Sequence, residues 1–158
     1  MHKLVAVTAL AVAMLAAPVA VAQDNAAAIA ELQALQKSAK ADKKALVAST
    51  LNLTPAEAKK FWPIYTDYQA DLDMLVRRRN VALEGLIARD RPMSDPYAKN
   101  VWNELLSIEE QEVKARRKLA NAVMRALPPK KAATYLQLES KLRAAQAYDI
   151  AVAFPLVQ

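Results

Sequence analysis

The residues best equipped for chemistry in this chain are its arginines. Arg77, Arg78 and Arg79 form one run; Arg116, Arg117 and Lys118 form another. A guanidinium is always charged and offers five donors, so such runs attract carboxylates, phosphates and acidic peptide segments. Around them the sequence places Phe61, Trp62, Tyr65, Leu72, Met74 and Leu75. Taken singly, each arginine reads as part of a solvated charged face. Taken together with the aromatics and Met74, they read as a surface for weak, promiscuous capture of partly unfolded protein. The residues expected to contact such a client are therefore Arg77, Arg78, Arg79, Arg116, Arg117, Phe61, Trp62, Tyr65 and Met74.

Other chemistries find little to work with. The chain has no cysteine and one histidine, His2, which removes the thiol nucleophile, the usual general base and the favoured ligands of soft metals. Asp67 and Asp71 stand one helical turn apart and could hold a hard cation. Opposite an Arg/Lys cluster they read instead as half of a salt-bridge network. The Glu-x-x-His motifs of a di-iron bundle are absent. Ser94 and Thr54 are explained as turn and cap residues, and the seam residues Glu112 and Arg79 as a pair or as part of a solvated face. No catalytic residue, metal or cofactor is expected, and the protein is expected not to be an enzyme.

Composition narrows the scaffold. Of 158 residues one is glycine and eight are proline, 54% are hydrophobic and only 6% aromatic. Glycine averages about 7% of residues, and its scarcity excludes a P-loop, a dinucleotide fingerprint and a glycine-rich β fold. An all-α protein is expected.

The first 22 residues read as a signal peptide. His2 and Lys3 form a basic start, Leu4–Ala17 is apolar apart from Thr8, and Ala20-Val21-Ala22 supplies a small-x-small cleavage pattern. With no cysteine to carry lipid and a run short for a membrane span, the expectation is an exported periplasmic protein with no stable membrane anchor. Removing 1–22 leaves 136 residues and takes away Lys3 and His2, so the net charge falls from +6 to +5. The pI near 9.6 would suit nucleic acid, but export removes that target. The expected organisation is a signal peptide over 1–22 and one helical domain over 23–158.

Proline punctuates this domain. Thr54-Pro55-Ala56-Glu57 reads as a capping box with proline at the first helical position. Asp95-Pro96 follows the Arg91-Pro92-Met93-Ser94 turn, and Leu127-Pro128-Pro129 ends one helix and starts the next. Four helices are predicted, over 25–49, 55–89, 96–126 and 130–152. The second carries the seam Phe61, Tyr65, Tyr68, Leu72, Leu75, Arg79, Ala82 and Leu86. The third answers with Val101, Leu105, Ile108, Glu112, Ala115, Leu119, Ala122 and Ala126. Steps of three and four on two long helices joined by a short turn predict an antiparallel hairpin. Its charges agree. Asp67, Asp71 and Asp73 would face Arg116, Arg117 and Lys118, and Arg77–Arg79 would face Glu109, Glu110 and Glu112, folding the pair at Met93 or Ser94. Pro63 predicts a bend and a concave face, while Gly85 costs the helix about 1 kcal/mol relative to alanine.

The first helix has only a thin apolar stripe, Ile29, Leu32, Leu35, Ala39 and Leu46, broken by Lys37, Lys40, Lys43 and Lys44. Its residues, 23–50, are expected either to pack on a partner or to stay mobile. The fourth carries Tyr135, Leu138, Leu142, Ala145 and Tyr148 before an apolar tail, Phe154–Val157. A faint repeat also appears. Leu53-Thr54-Pro55-Ala56-Glu57-Ala58 aligns with Leu127-Pro128-Pro129-Lys130-Lys131-Ala132 at an offset of 74, and Phe61 and Trp62 then align with Tyr135 and Leu136.

Leu53-Thr54-Pro55-Ala56-Glu57 resembles the L-T-x-x-Q signature of the Spy/CpxP-like periplasmic proteins, which carry it before the second helix and again before the fourth. Two departures stand out: Glu57 occupies the glutamine position, and the second copy, Leu127–Lys131, is degenerate. The resemblance covers most of the chain after residue 22 and implies a cradle-shaped helical homodimer. Roles in that family include ATP-independent chaperoning, restraint of an envelope-stress sensor and metal sensing. For this chain the leading expectation is a chaperone-like binder of unfolded or stressed envelope proteins. The alternative is a regulatory accessory that binds the periplasmic domain of an envelope sensor in stress signalling. A third reading is a structural bundle with no client.

Overall fold

The computed structural model describes residues 17–87 and 93–153, and its side-chain surroundings begin at residue 26. Four helices and no strand occur among the described residues: α1 over Ala17–Leu51, α2 over Pro55–Ile87, α3 over Asp95–Ala126 and α4 over Pro129–Ala153. The fold is all-α, as the sequence predicts, with α2 packed lengthwise on α3. Residues 1–16 of the expected signal peptide, most of the hairpin turn (88–92) and the tail 154–158 lie outside the described residues. No helix among those described is long and apolar enough to cross a membrane.

Local chemistry explains the helix ends. Asn52 stops α1 in the left-handed conformation (φ 43°), which asparagine tolerates better than most residues; its N–H still donates to the Ala48 carbonyl at 3.1 Å. The capping box follows. Thr54 N–H donates to Glu57 Oε2 at 2.8 Å, and Glu57 N–H donates to Thr54 Oγ1 at 3.3 Å. α3 begins one residue earlier than predicted, with Ser94 as its extended N-cap and Pro96 in the first turn; no side-chain capping bond forms there. Leu127 ends α3 in an extended conformation, and Pro129 opens α4. α2 runs through Pro63 as one helix.

The sequence reading missed a break inside α1. Asp42 has φ −158° and ψ 96°, and its Oδ1 accepts from the Ala45 N–H at 2.9 Å. That is an N-cap, and the helix restarts behind it. The segment 43–51 brings Val47 and Leu51 into the core. Before the break, α1 lies beside α4, tied by Lys141 to Glu31 (2.6 Å) and by Gln36 and Lys40 to Asp149 (2.6 and 3.2 Å). The first helix is thus packed against α4.

The core lies where all four helices meet. Val47 and Leu51 of α1, Phe61, Tyr65 and Tyr68 of α2, Leu119 and Val123 of α3, and Tyr135, Leu138 and Leu142 of α4 form one buried cluster. Across it, positions 74 apart touch: the Phe61 and Tyr135 rings meet edge-on with centroids 4.9 Å apart, and Lys131 Nζ donates to Glu57 Oε2 at 2.7 Å. Away from this core, Leu75, Ala82 and Leu83 of α2 and Val101 and Ile108 of α3 fill a thinner seam between two helices.

Candidate interaction surface

The hairpin register rests on a ladder of polar contacts. Arg79 Nη2 donates to Glu112 Oε1 at 2.5 Å, Arg78 Nε to Glu104 Oε1 at 2.8 Å and Arg78 Nη1 to Gln111 Oε1 at 2.9 Å. Lys118 lies 3.7 Å from Asp71. The sequence-derived register holds for Arg79 with Glu112 and for Asp71 with Lys118. Elsewhere it needs correction: Arg78 pairs with Glu104 a turn away, while Glu109 and Glu110 are exposed and outside the ladder. Helix rotation is the reason, because residues 109 and 110 fall on the flank of α3 that points away from α2.

Several residues expected to contact a client are structural. Phe61 is completely buried and Tyr65 nearly so, Phe61 meeting Trp62 and Tyr135 edge-on. Burial pushes Tyr65 up to about 12, with the Glu139 carboxylate adding to the effect. Burial likewise raises Tyr68 and Tyr135. Trp62 is half-buried and carries the Lys44 ammonium 5.2 Å from its ring centroid. Arg78 and Arg79 hold α3, and Arg116 is half-buried. Arg77, Arg117 and Met74 remain exposed as expected, Met74 at 45%. Leu53, Thr54, Pro55 and Glu57 form the helix cap. There Lys131 first, and then the Thr54 amide, hold the Glu57 carboxyl below its ordinary 4.5. The two departures from the L-T-x-x-Q signature are thus partners, since the acid in one copy binds the lysine at the same position of the other.

The exposed apolar residues lie elsewhere. Val81 is 71% exposed on α2, and on α3 Trp102 (56%), Leu106, Val113 and Met124 are all exposed. Together with Glu109, Arg117 and Ala120, the α3 residues follow steps of four, three, four, four, three and four. This second seam lies one or two residues after the buried one. Sequence reading overlooked it because one seam was enough to explain the hairpin; the signal was a second apolar heptad series beside the first.

Toward the hairpin tip, a groove of about 520 Å³ runs between α2 and α3, lined by Arg77, Arg78, Val81, Tyr97, Asn100 and Glu104 among others. The lone glycine belongs to this region. A β-carbon on Gly85 would collide with the Tyr97 hydroxyl, so Gly85 is what lets Tyr97 of α3 lie against α2. The groove and seam offer apolar contact and fixed cationic charge, which is binding chemistry. Among the described residues, no group of three or more His, Cys, Asp or Glu could hold a metal ion.

No protein-family model, curated protein or solved structure matches this chain.

Proposed function

We propose that this is a periplasmic, dimeric helical binding protein that holds unfolded or stressed envelope proteins without ATP, in the manner its resemblance to the Spy/CpxP-like proteins implies. One observation carries the reading: the α2–α3 hairpin leaves Met74, Val81, Trp102, Leu106, Val113 and Met124 exposed beside Arg77 and Arg117, which make no ion pair among the described residues. Apolar exposure on this scale, bordered by charge, marks a contact surface. Weak apolar contacts give promiscuity, and fixed cations speed encounter with anionic segments.

The two flanks have different work. The α3 seam is self-complementary in antiparallel orientation about Val113. Position 102 then meets 124, 106 meets 120, and the acid at 109 meets the arginine at 117. At 1.5 Å per residue the seam runs about 33 Å, a coiled-coil length, and its natural occupant is a second copy. Met74, Arg77, Val81 and the tip groove stay open for clients.

The test is aggregation of several unrelated unfolded substrates at stoichiometric protein. The purified protein slows it, and the variant Met74→Ser/Arg77→Ser/Val81→Ser, with an unchanged circular dichroism spectrum, does not. Equal activity in that variant, or none in the parent, defeats the proposal. If the protein instead yields a single crosslinked envelope complex and no general protection, the regulatory alternative holds.

A further inference from the structure

Where the four helices meet, a recess of about 50 Å³ is lined by Lys43, Tyr68, Glu112, Arg116, Glu139 and Arg143, with Leu142 among its apolar residues. Its charges do not cancel. Glu139, only 7% exposed, is bound through Oε2 by Lys43 at 2.9 Å while its shielded Oε1 has no donor, and Glu112 is bound by Arg79. Arg116 and Arg143 are left over: among the described residues neither has a carboxylate within ion-pair distance, and both act electrostatically on the Tyr68 hydroxyl. Arg116 Nε is shielded from solvent and has no acceptor. Gln69, whose Oε1 takes a bond from Lys43 at 3.0 Å, has a shielded Nε2 in the same condition. Shielded donors without acceptors are costly and call for a partner. Two guanidinium groups lining one recess call for an oxyanion.

We infer that the recess is a binding site for a phosphate group. Two unpaired arginines match a dianion better than a monoanionic carboxylate. The volume fits one such group, and Arg143 and Gln146, both exposed, form the mouth through which the rest of a phosphorylated molecule would leave. The site is separate from the hairpin's outer surfaces and does not depend on their function.

The experiment titrates inorganic phosphate into the ¹⁵N-labelled full chain, with acetate and chloride at matched ionic strength as comparisons. Phosphate shifts the Arg116 Nε–H signal saturably, while acetate and chloride do not. Arg143→Gln, at the exposed mouth, and Arg116→Gln each weaken binding at least about tenfold, the loss of one charge-assisted contact. Arg125→Gln, exposed and outside the recess, leaves binding unchanged. A response to all three anions alike, or phosphate binding that survives Arg143→Gln, overturns the inference. Inorganic phosphate binding alone assigns free phosphate as the ligand. Tighter binding of a soluble phosphomonoester assigns the headgroup of a larger molecule.

Discussion

The molecule has two parts built by different rules. Where four helices converge, aromatic side chains turn inward: Phe61, Tyr65, Tyr68 and Tyr135 share one cluster with aliphatics from every helix. Along the arm beyond, only α2 and α3 pack, and Leu75, Ala82, Leu83, Val101 and Ile108 are enough to fill the seam. A pair of helices buries one stripe of each, so apolar residues beyond that stripe stay in water. The contrast shows why the same residue types do different work. Phe61 belongs to a buried cluster drawn from four helices, whereas Trp102 stands exposed on the hairpin. The two outer flanks sharpen the point. At the offset of the repeat, the α3 positions Trp102, Leu106, Val113 and Met124 correspond to Ala28, Leu32, Ala39 and Thr50 in α1, three of them small or polar.

This contrast breaks first at Phe61. Phe61→Ala empties a fully buried site and should cost about 3–5 kcal/mol, read as a lowered urea midpoint. Val81→Ser on the arm, at a site 71% exposed, should leave that midpoint within about 0.5 kcal/mol of the parent. Similar costs at both sites would mean that the two parts share one core.

A smaller effect tests the arm's own packing. Gly85→Ala would gain about 1 kcal/mol of helix propensity, but its β-carbon meets the Tyr97 hydroxyl, so the protein should lose stability. In a Tyr97→Phe background the same change should turn neutral or stabilising. A double-mutant cycle on thermal midpoints reads the coupling, and additive effects would contradict the contact.

The smallest effect lies at the Glu57–Lys131 pair. Glu57 has its pKa lowered by folding, so its contribution is present above pH 4.5 and is lost as pH falls through the lowered value. Glu57→Gln keeps a capping acceptor and removes the charge. Its acid limb should therefore be flatter than the parent's in chemical denaturation between pH 5 and the acid midpoint. An unchanged acid limb would mean that the Lys131 pair adds nothing.

Much of this architecture is legible in the sequence, for physical reasons. Proline and the Thr54–Glu57 box act locally, so the starts of α2 and α4 can be read directly, and α3 begins one residue from its predicted start. Periodicity identifies the buried face of α2 and α3. What periodicity cannot supply is the number of helices that cover that face. Phe61 and Tyr65 therefore look like client contacts in the sequence and turn out to be core. The break at Asp42 is hidden in a lysine-rich stretch whose apolar stripe is too thin to show a change of direction. Glu57 and Lys131, which look like two defects in a motif, become one ion pair only once α2 and α4 are side by side.

The most direct test of the central claim, that the second seam of α3 is a contact surface for another copy, is sedimentation equilibrium across a hundredfold range of concentration. The parent chain should sediment as a dimer, and Val113→Asp, which places a charge at the seam's centre, as a monomer with an unchanged circular dichroism spectrum. A parent that is monomeric throughout, or a Val113→Asp variant that remains dimeric, would contradict it.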